Sequence, residues 1–559
     1  MNDNKNKPAD MAAETTFDPS RRKLLQGLAT ISLGGALPTS AAQRNAPTPS
    51  KPKPGHALNR DEALKQNIKT VVVIYLENRS FNNLFGNFPG VASPMSALPP
   101  ERYRQIDRNG QPFTQLPKVW GGMVQRRQQI GGESYLIAED EIQNLPNAPF
   151  RLNDTKGKPL PTSVITRDLW HLFYQNQMQI NEGKNDQFVA WGNSGSLVMG
   201  NYGEAGPRLN LWRIAREYTL CDNFFMGAFG GSYLNHQYLI ACRPGIYPDA
   251  GNSPAKDKIA VVEGAPDSPR LKVSDKSPAS AMDGAPKFVR DGAITPDGYI
   301  VNTLAPAYQP SWVKPAHEGD PNLADPADSM TQPAQTYATI GDLLSAKNVS
   351  WAWYGGGWGA ALEGRGGPNQ PNFQAHHQPF NYFKAYAPGT DARQQHLRDG
   401  GLGDSPRDNH FIADALAGKL PAVTFYKPQG NLNLHAGYSD IESGDQHISN
   451  IISHLQNSPQ WQNMMVVITF DENGGWWDHV SPPKGDRWGP GSRIPALVIS
   501  PYAKKGYVDH SYYDTSSIAR LITRLHGLPE LEGISLRNEA FKANGGTPPG
   551  DLLNCLDFG

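Results

Sequence analysis

The two densest runs of apolar, β-branched residues in the chain end in the same way. Thr70-Val71-Val72-Val73-Ile74-Tyr75-Leu76 runs into Glu77-Asn78, and Val466-Val467-Ile468-Thr469-Phe470 runs into Asp471-Glu472. Unbroken apolar runs of this length predict strands buried on both faces, as in a parallel sheet. Gly474-Gly475 lets the chain turn sharply after the second run. Shorter runs at 349–354, 421–426 and 494–500 predict further strands. Helical spacing falls between them. It covers Asp168 to Ile180 (Leu169, Leu172, Phe173, Gln177, with His171 on it), Ser232 through Leu239, and the region of Ile340 to Leu344. It returns from Ile448 to Leu455 and from Ser516 to Leu525. Strands alternating with helices predict an α/β fold with a mostly parallel sheet.

Other stretches lack this patterning. Residues 90–160 are irregular, and 246–335 are rich in Pro, Asp, Ala and Lys, which reads as an insertion or lid carried on the core. The N-terminus carries Ser20-Arg21-Arg22-Lys23-Leu24-Leu25-Gln26, a weakly apolar run from Gly27 to Leu37, and then Ser40-Ala41-Ala42-Gln43. That is the form of a twin-arginine signal; a disordered basic tail is the plainer alternative. The expectation is therefore export by the twin-arginine machinery and a periplasmic or secreted location. The expected divisions are 1–43 signal peptide, 44–66 linker, 67–245 catalytic core, 246–335 insertion or lid, and 336–559 the rest of the core. No other stretch is apolar enough to span a bilayer.

Of 559 residues, 56 are Gly and 48 Pro, which predicts long irregular connections. A formal net charge of -1 gives no basic field for nucleic acid. Cys221, Cys242 and Cys555 are too few for a disulfide scaffold; they allow one bridge, such as Cys221 to Cys242, or buried free thiols.

The candidate chemistry lies at the strand exits, because open α/β sheets bind ligands at the carboxyl ends of their strands. Glu77, Asn78, Asp471 and Glu472 are all oxygen donors. Adjacent acids repel unless a proton or cation sits between them, so the set predicts a hard or borderline divalent ion. The competing reading is a solvated strand exit, with Asn78 and Ser80 capping a helix. Gly230-Gly231-Ser232 opens a helix whose first N–H groups favour an anion. Ser232 there is either a phosphate-bound nucleophile or an N-cap, and Asn235, three residues on, faces the same end. His171 lies on the helix expected from Asp168, where a lone histidine is more often a packing or capping residue than a catalytic one; His376-His377 follow Gly355-Gly356-Gly357, and His435 lies in the exit loop of the 421–426 strand.

Glu77-Asn78-Arg79-Ser80-Phe81 with Phe85-Gly86, and Asp471-Glu472-Asn473-Gly474-Gly475 with Asp478-His479-Val480, resemble a bacterial phosphoesterase family. It joins phosphatidylcholine-cleaving phospholipases C with acid phosphatases A. The segments 493–501, 506–510 and 514–518 are similar to it too, so the resemblance runs from about Thr70 to Leu528. It implies an alkaline phosphatase-like, three-layer α/β/α core. It also implies one divalent metal ion held by Glu77, Asn78, Ser232, Asp471 and Glu472. Ser232 would be the nucleophile, with His171, Asn235, His376 or His377, and His435 lining the phosphate pocket. Gly230-Gly231-Ser232-Tyr233-Leu234-Asn235-His236, Gly430 to His435 and Ser443 to His447 look closer to the acid phosphatases; Asp471-Glu472 looks like the phospholipases.

The expectation is a metal-dependent phosphoric ester hydrolase acting on phosphate esters through a phosphoserine, with phosphomonoesters favoured. The alternatives are a phospholipase C acting on phospholipid and, from another class, a non-catalytic secreted binding protein on the same fold. A sulfatase is a further rival, but nothing in the chain resembles its Cys-based nucleophile motif.

Overall fold

The computed structural model describes residues 59–559 apart from 204, 266–267 and 368–370. The expected signal peptide and residues 44–58 of the expected linker lie outside the described residues. The described chain opens with a helix, Arg60–Asn67, inside the stretch read as linker.

Eight strands form one sheet: β1 (Thr70–Leu76), β2 (Thr219–Cys221), β3 (Trp351–Gly356), β4 (Leu397–Gly401), β5 (Val423–Lys427), β6 (Met464–Phe470), β7 (Ala496–Ile499) and β8 (Tyr507–Asp509). Their order across the sheet is β4-β3-β5-β1-β6-β7-β2-β8. All neighbours are parallel except where β7 meets β6 and β2. The sheet is thus mostly parallel, as the apolar runs predict. Every residue of β1 and β6 is buried, which is why both read as continuous apolar runs. Their register pairs Leu76 with Phe470, so Glu77 and Asp471 leave the sheet side by side.

Each face of the sheet is covered by helices. On one face Tyr75 of β1 donates to Asn235 O of the helix Ser232–Ala241. On the other, Tyr426 of β5 meets His447 of the helix Ile441–Gln456, and Tyr354 of β3 donates to Asp414 of the helix His410–Leu416. Strand side chains alternate between faces, and Tyr426 pairs in register with Ile74, the neighbour of Tyr75. The result is the expected three-layer α/β/α core.

The differences from the sequence reading have local causes. The helix expected from Asp168 begins only at Phe173 (Phe173–Ile180), because Asn193 and Asn302 side chains take the Trp170 and Phe173 N–H groups. The helix expected from Ile448 begins earlier, at Ile441 (Ile441–Gln456), where Asp440 caps it, so Ser443 to His447 lie inside it. Asp445 there turns outward to cap a second helix, Asn210–Glu217, accepting from the Asn210 and Leu211 N–H groups. The short strands β2, β4 and β8 carry too few apolar residues to show in the sequence. Residues 246–335 hold only short ladders and single turns, yet Ile294, Ile300, Val301 and Leu304 are buried in the main core. Cys221 does not sit with Cys242: its sulfur lies 3.6 Å from that of Cys555, and all three thiols are free and buried. No helix among the described residues is long and apolar enough to cross a membrane.

Candidate active site

The site grows from the adjacent exits of β1 and β6. The Asn78 N–H donates to Asp471 Oδ1 at 3.0 Å, and the Glu472 N–H donates to the same oxygen at 2.8 Å. One carboxylate oxygen therefore ties the two exits together. Gly474 completes the junction: it has φ of 62° and packs so tightly that a Cβ would lie 2.2 Å from Asn78 O.

Three further segments converge on this junction. The loop after β5 is bound to the β1 exit by the Glu77 N–H to Asn433 O, by Arg79 to Leu434 O, and by the Ala436 N–H to Asn78 Oδ1. This brings in His435, whose N–H is fixed by the Asn433 side chain. The helix Ser232–Ala241 packs over Tyr75 and brings in Ser232. A Cβ at Gly231 would lie 2.5 Å from His171 O, so the approach to that helix is pressed against the His171 segment.

Ser232 is not an N-cap. Gly231 holds the cap position, Ser232 is the first helical residue, and its Oγ donates to Glu77 Oε2 at 3.1 Å. Glu77 Oε1 accepts from Lys427 Nζ and faces His377 Nδ1 at 3.3 Å and His236 Nε2 at 3.6 Å. Of the two histidines left open by the sequence, His377 is the one beside Glu77. His376 is half-buried and packs on Trp312 and His377. Asn235 is fully buried, but its amide is committed to the Ala228 N–H, Ala228 O and Gly231 O, so it braces the turn that presents Ser232. His171 precedes the helix that was expected to carry it, packs edge-on to His435, and places Nε2 3.9 Å from Glu472 Oε1.

The electrostatics are extreme. Glu77, Asp471 and Glu472 are fully buried. Burial pushes the Glu77 and Glu472 carboxyls well above their usual range, and the Asp471 charge pushes them further. Burial pushes His236, His377 and His435 well below the usual imidazole range and takes His376 down to about 3. His171, His236 and His435 each donate Nδ1–H to a backbone carbonyl, of Leu169, Ser232 and Ala436 respectively. A carbonyl only accepts, so Nδ1 carries the hydrogen in each ring, and the Nε2 of His236 and His435, held neutral by burial, carries a lone pair.

A cation fits this donor set. Asp471 Oδ2 and Glu472 Oε1 are buried with no hydrogen-bond partner, a costly state for carboxylate oxygens unless a positive charge lies beside them. Two groups of side chains place ligand atoms within 4.8 Å of one another: Glu77, His236 and Asp471, and also Asp168, His171 and His435. The expected set of Glu77, Asn78, Ser232, Asp471 and Glu472 is drawn together, although the Asn78 oxygen already accepts from Ala436.

Two residues of the site escaped the sequence reading. His236 lies four residues after Ser232, one helical turn along the same face, which was the available signal. Lys427 is the polar residue that ends β5, as Glu77 and Asp471 follow the ends of β1 and β6. Conversely, some residues of the family-like motifs prove to be braces. Asp478 pairs with buried Arg493 at 3.0 Å and accepts from the Asn82 N–H, while His479 bonds the Asn82 side chain.

The chain is similar to known proteins. Phospholipase C A of Mycobacterium tuberculosis is 23% identical over 556 residues, covering 93% of this chain and 83% of that protein. Phospholipase C B of the same organism is 23% identical over 513 residues, covering 86% and 75%. Non-specific phospholipase C6 of Arabidopsis thaliana is 31% identical over 153 residues, covering 22% and 29%. Among solved structures, a protein in the alkaline phosphatase superfamily from Vibrio parahaemolyticus is similar at 11% identity and a TM-score of 0.27, covering 67% of this chain and 71% of that one. The model of the Phosphoesterase family matches residues 68–529, and with that the chain belongs to this family and is a phosphoric ester hydrolase.

Proposed function

We propose that this hydrolase acts through a phosphoserine on Ser232, with one divalent metal ion, and prefers phosphomonoesters. The observation that carries the reading is the Ser232 Oγ to Glu77 Oε2 hydrogen bond of 3.1 Å at the first turn of a helix. Glu77 accepts the hydroxyl hydrogen and leaves the Oγ lone pairs for phosphorus. The Ser232 O–P bond forms as the ester P–O bond breaks; the leaving oxygen takes a proton, and water then hydrolyses the phosphoserine. The first N–H groups of the helix Ser232–Ala241 favour the phosphoryl anion. Asn235 holds the turn before Ser232. His171, less buried than His435, is assigned to the leaving oxygen, with His435 packed against it. Glu77, Asp471, Glu472 and His236 would hold the metal ion, with Asn78 and Ser232 beside them; when bound, it supplies Lewis-acid polarisation of a phosphate oxygen.

Phospholipase C activity is the second reading, favoured by relatives of that name over most of the chain. Initial rates with p-nitrophenyl phosphate and with phosphatidylcholine vesicles separate the two. Faster turnover of the monoester is expected, and activity confined to the lipid overturns the preference. A periplasmic or secreted location is part of the proposal, resting on the twin arginines. Replacing Arg21 and Arg22 with Lys should retain the protein in the cytoplasm, and undiminished export would refute it.

A further inference from the structure

We propose that Lys427 is a positioning residue of the reaction, holding the Glu77 carboxylate in the orientation that presents Oε2 to Ser232. This rests on the reading of Ser232 as nucleophile.

The placement follows from the sheet. β5 pairs in parallel with β1, with Tyr426 beside Ile74, so the next residue, Lys427, falls beside Tyr75, two positions before Glu77. Its side chain is only 1% exposed. Nζ donates to Tyr75 O at 3.0 Å and to Glu77 Oε1, and it lies 5.5 Å from the centre of the Tyr75 ring. An ammonium group so far from water persists only when paired and hydrogen-bonded, which makes this contact different in kind from a surface ion pair.

The two Glu77 oxygens have separate partners. Oε1 takes the ammonium, with His377 and His236 beyond it, and Oε2 takes the Ser232 hydroxyl. The last torsion of a glutamate is broad and roughly two-fold. Nothing in Glu77 itself therefore fixes the rotation of its carboxylate plane relative to the serine; a donor fixed on one side does. The two Lys427 bonds supply that donor from a rigid strand end, with the Tyr75 carbonyl fixing the ammonium. Among the described residues, Lys427 is also the one Lys or Arg paired with any of Glu77, Asp471 and Glu472. Its positive charge thus opposes part of the repulsion that three buried carboxylates exert on an incoming phosphate.

The test uses the full mature protein carrying its metal, with Lys427→Met, which keeps most of the unbranched side chain and removes the charge. Four quantities are measured: thermal midpoint, metal content by elemental analysis, steady-state kcat and KM, and the rapid-quench rate of label transfer from a ³²P-phosphomonoester to Ser232. The expected result is a fall of about 100-fold, the size of effect of a misplaced reacting group, in both kcat and label transfer. KM and metal content should stay near wild type. In a Glu77→Gln background the same change should cost little more, because the carboxylate it orients is gone. Wild-type label transfer in Lys427→Met overturns the assignment, as does a loss confined to KM or one that tracks loss of metal. If Lys427→Met does not fold, Lys427→Arg replaces it: a loss smaller than about 100-fold supports the role, and a larger one in a folded protein overturns it. Failure of the wild type to carry label on Ser232 sinks the serine reading itself, whereas normal labelling in both proteins sinks only the role of Lys427.

Discussion

Ser80 and Ser232 are two buried serines at the starts of helices beside the same strand exit, and they are put to opposite uses. Ser80 stands one residue before the helix Phe81–Phe85, in extended conformation, and accepts from the Asn83 N–H at 3.2 Å. It also donates to Trp477 O at 3.0 Å, so its hydroxyl is fully engaged in structure. Ser232 stands one residue later relative to its helix. Gly231 occupies the cap position, no backbone N–H claims the Ser232 hydroxyl, and Oγ reaches Glu77. A shift of one residue against the helix start separates a cap from a candidate nucleophile. Glycine at the cap is what permits the shift, since it adopts the tight approach against His171 where no other side chain fits.

Removing Ser232 breaks the comparison most severely. Ser232→Ala deletes no cap, so the helix should survive with a stability change of about 1–2 kcal/mol from the lost bond to Glu77. Turnover should fall by about 10⁴-fold or more, because the covalent route disappears. Acid quenching of the wild type with ³²P-labelled substrate should leave label on the peptide containing Ser232. Near-normal turnover in the variant, or label elsewhere, would mean that the two serines do not differ as described.

Asp471→Asn probes the charge that the Ser232 side of the comparison depends on. Asparagine keeps an oxygen for the Asn78 and Glu472 N–H groups, so the junction of the two strand exits should hold. It replaces the unpartnered Oδ2 with an amide nitrogen and removes one of the three buried carboxyl groups. Metal content and activity should fall together, activity by more than about 100-fold, the upper end for groups that merely support a ligand. Elemental analysis of the purified variant decides: a stoichiometric ion means that Asp471 is not a ligand.

Much of this was legible in the sequence because it depends on short-range pattern. β1 and β6 read directly from their apolar runs, and Glu77, Asp471 and Glu472 follow from the rule that parallel strands deliver their next residues to one edge. Ser232 was visible as a candidate, but its choice between cap and nucleophile turns on one residue of helix register, which spacing does not resolve. Lys427 was passed over because the sheet order that sets β5 beside β1 is a tertiary fact. Asn235 was expected at the phosphate, yet its amide holds the Ala228–Gly231 turn. Of the two readings left open for the cysteines, the thiols are free and buried, and the fold returns the C-terminus to β2 and sets Cys555, not Cys242, against Cys221. For Lys427 and the cysteines the missing information was which distant segment arrives.

The smallest effect belongs to the other serine. Ser80→Ala removes the cap on Phe81–Phe85 and leaves both the Asn83 N–H and Trp477 O without a partner in a fully buried place. An N-cap deletion costs about 0.5–2 kcal/mol, and unpaired buried backbone groups push the value toward the upper end. The Ser80 hydroxyl bonds Asn83 and Trp477 rather than Glu77, Asp471, Glu472 or Ser232, so metal content should be unchanged and turnover should stay within a few-fold of wild type. A kcat measurement beside a thermal melt separates the two serines: both variants should lose a similar, small amount of stability and stay folded, and only Ser232→Ala should lose activity. If Ser80→Ala instead lost turnover as severely as Ser232→Ala while still folded, the division between cap and nucleophile would fail. The β1 exit would then have to be regarded as one catalytic unit running from Glu77 through Ser80.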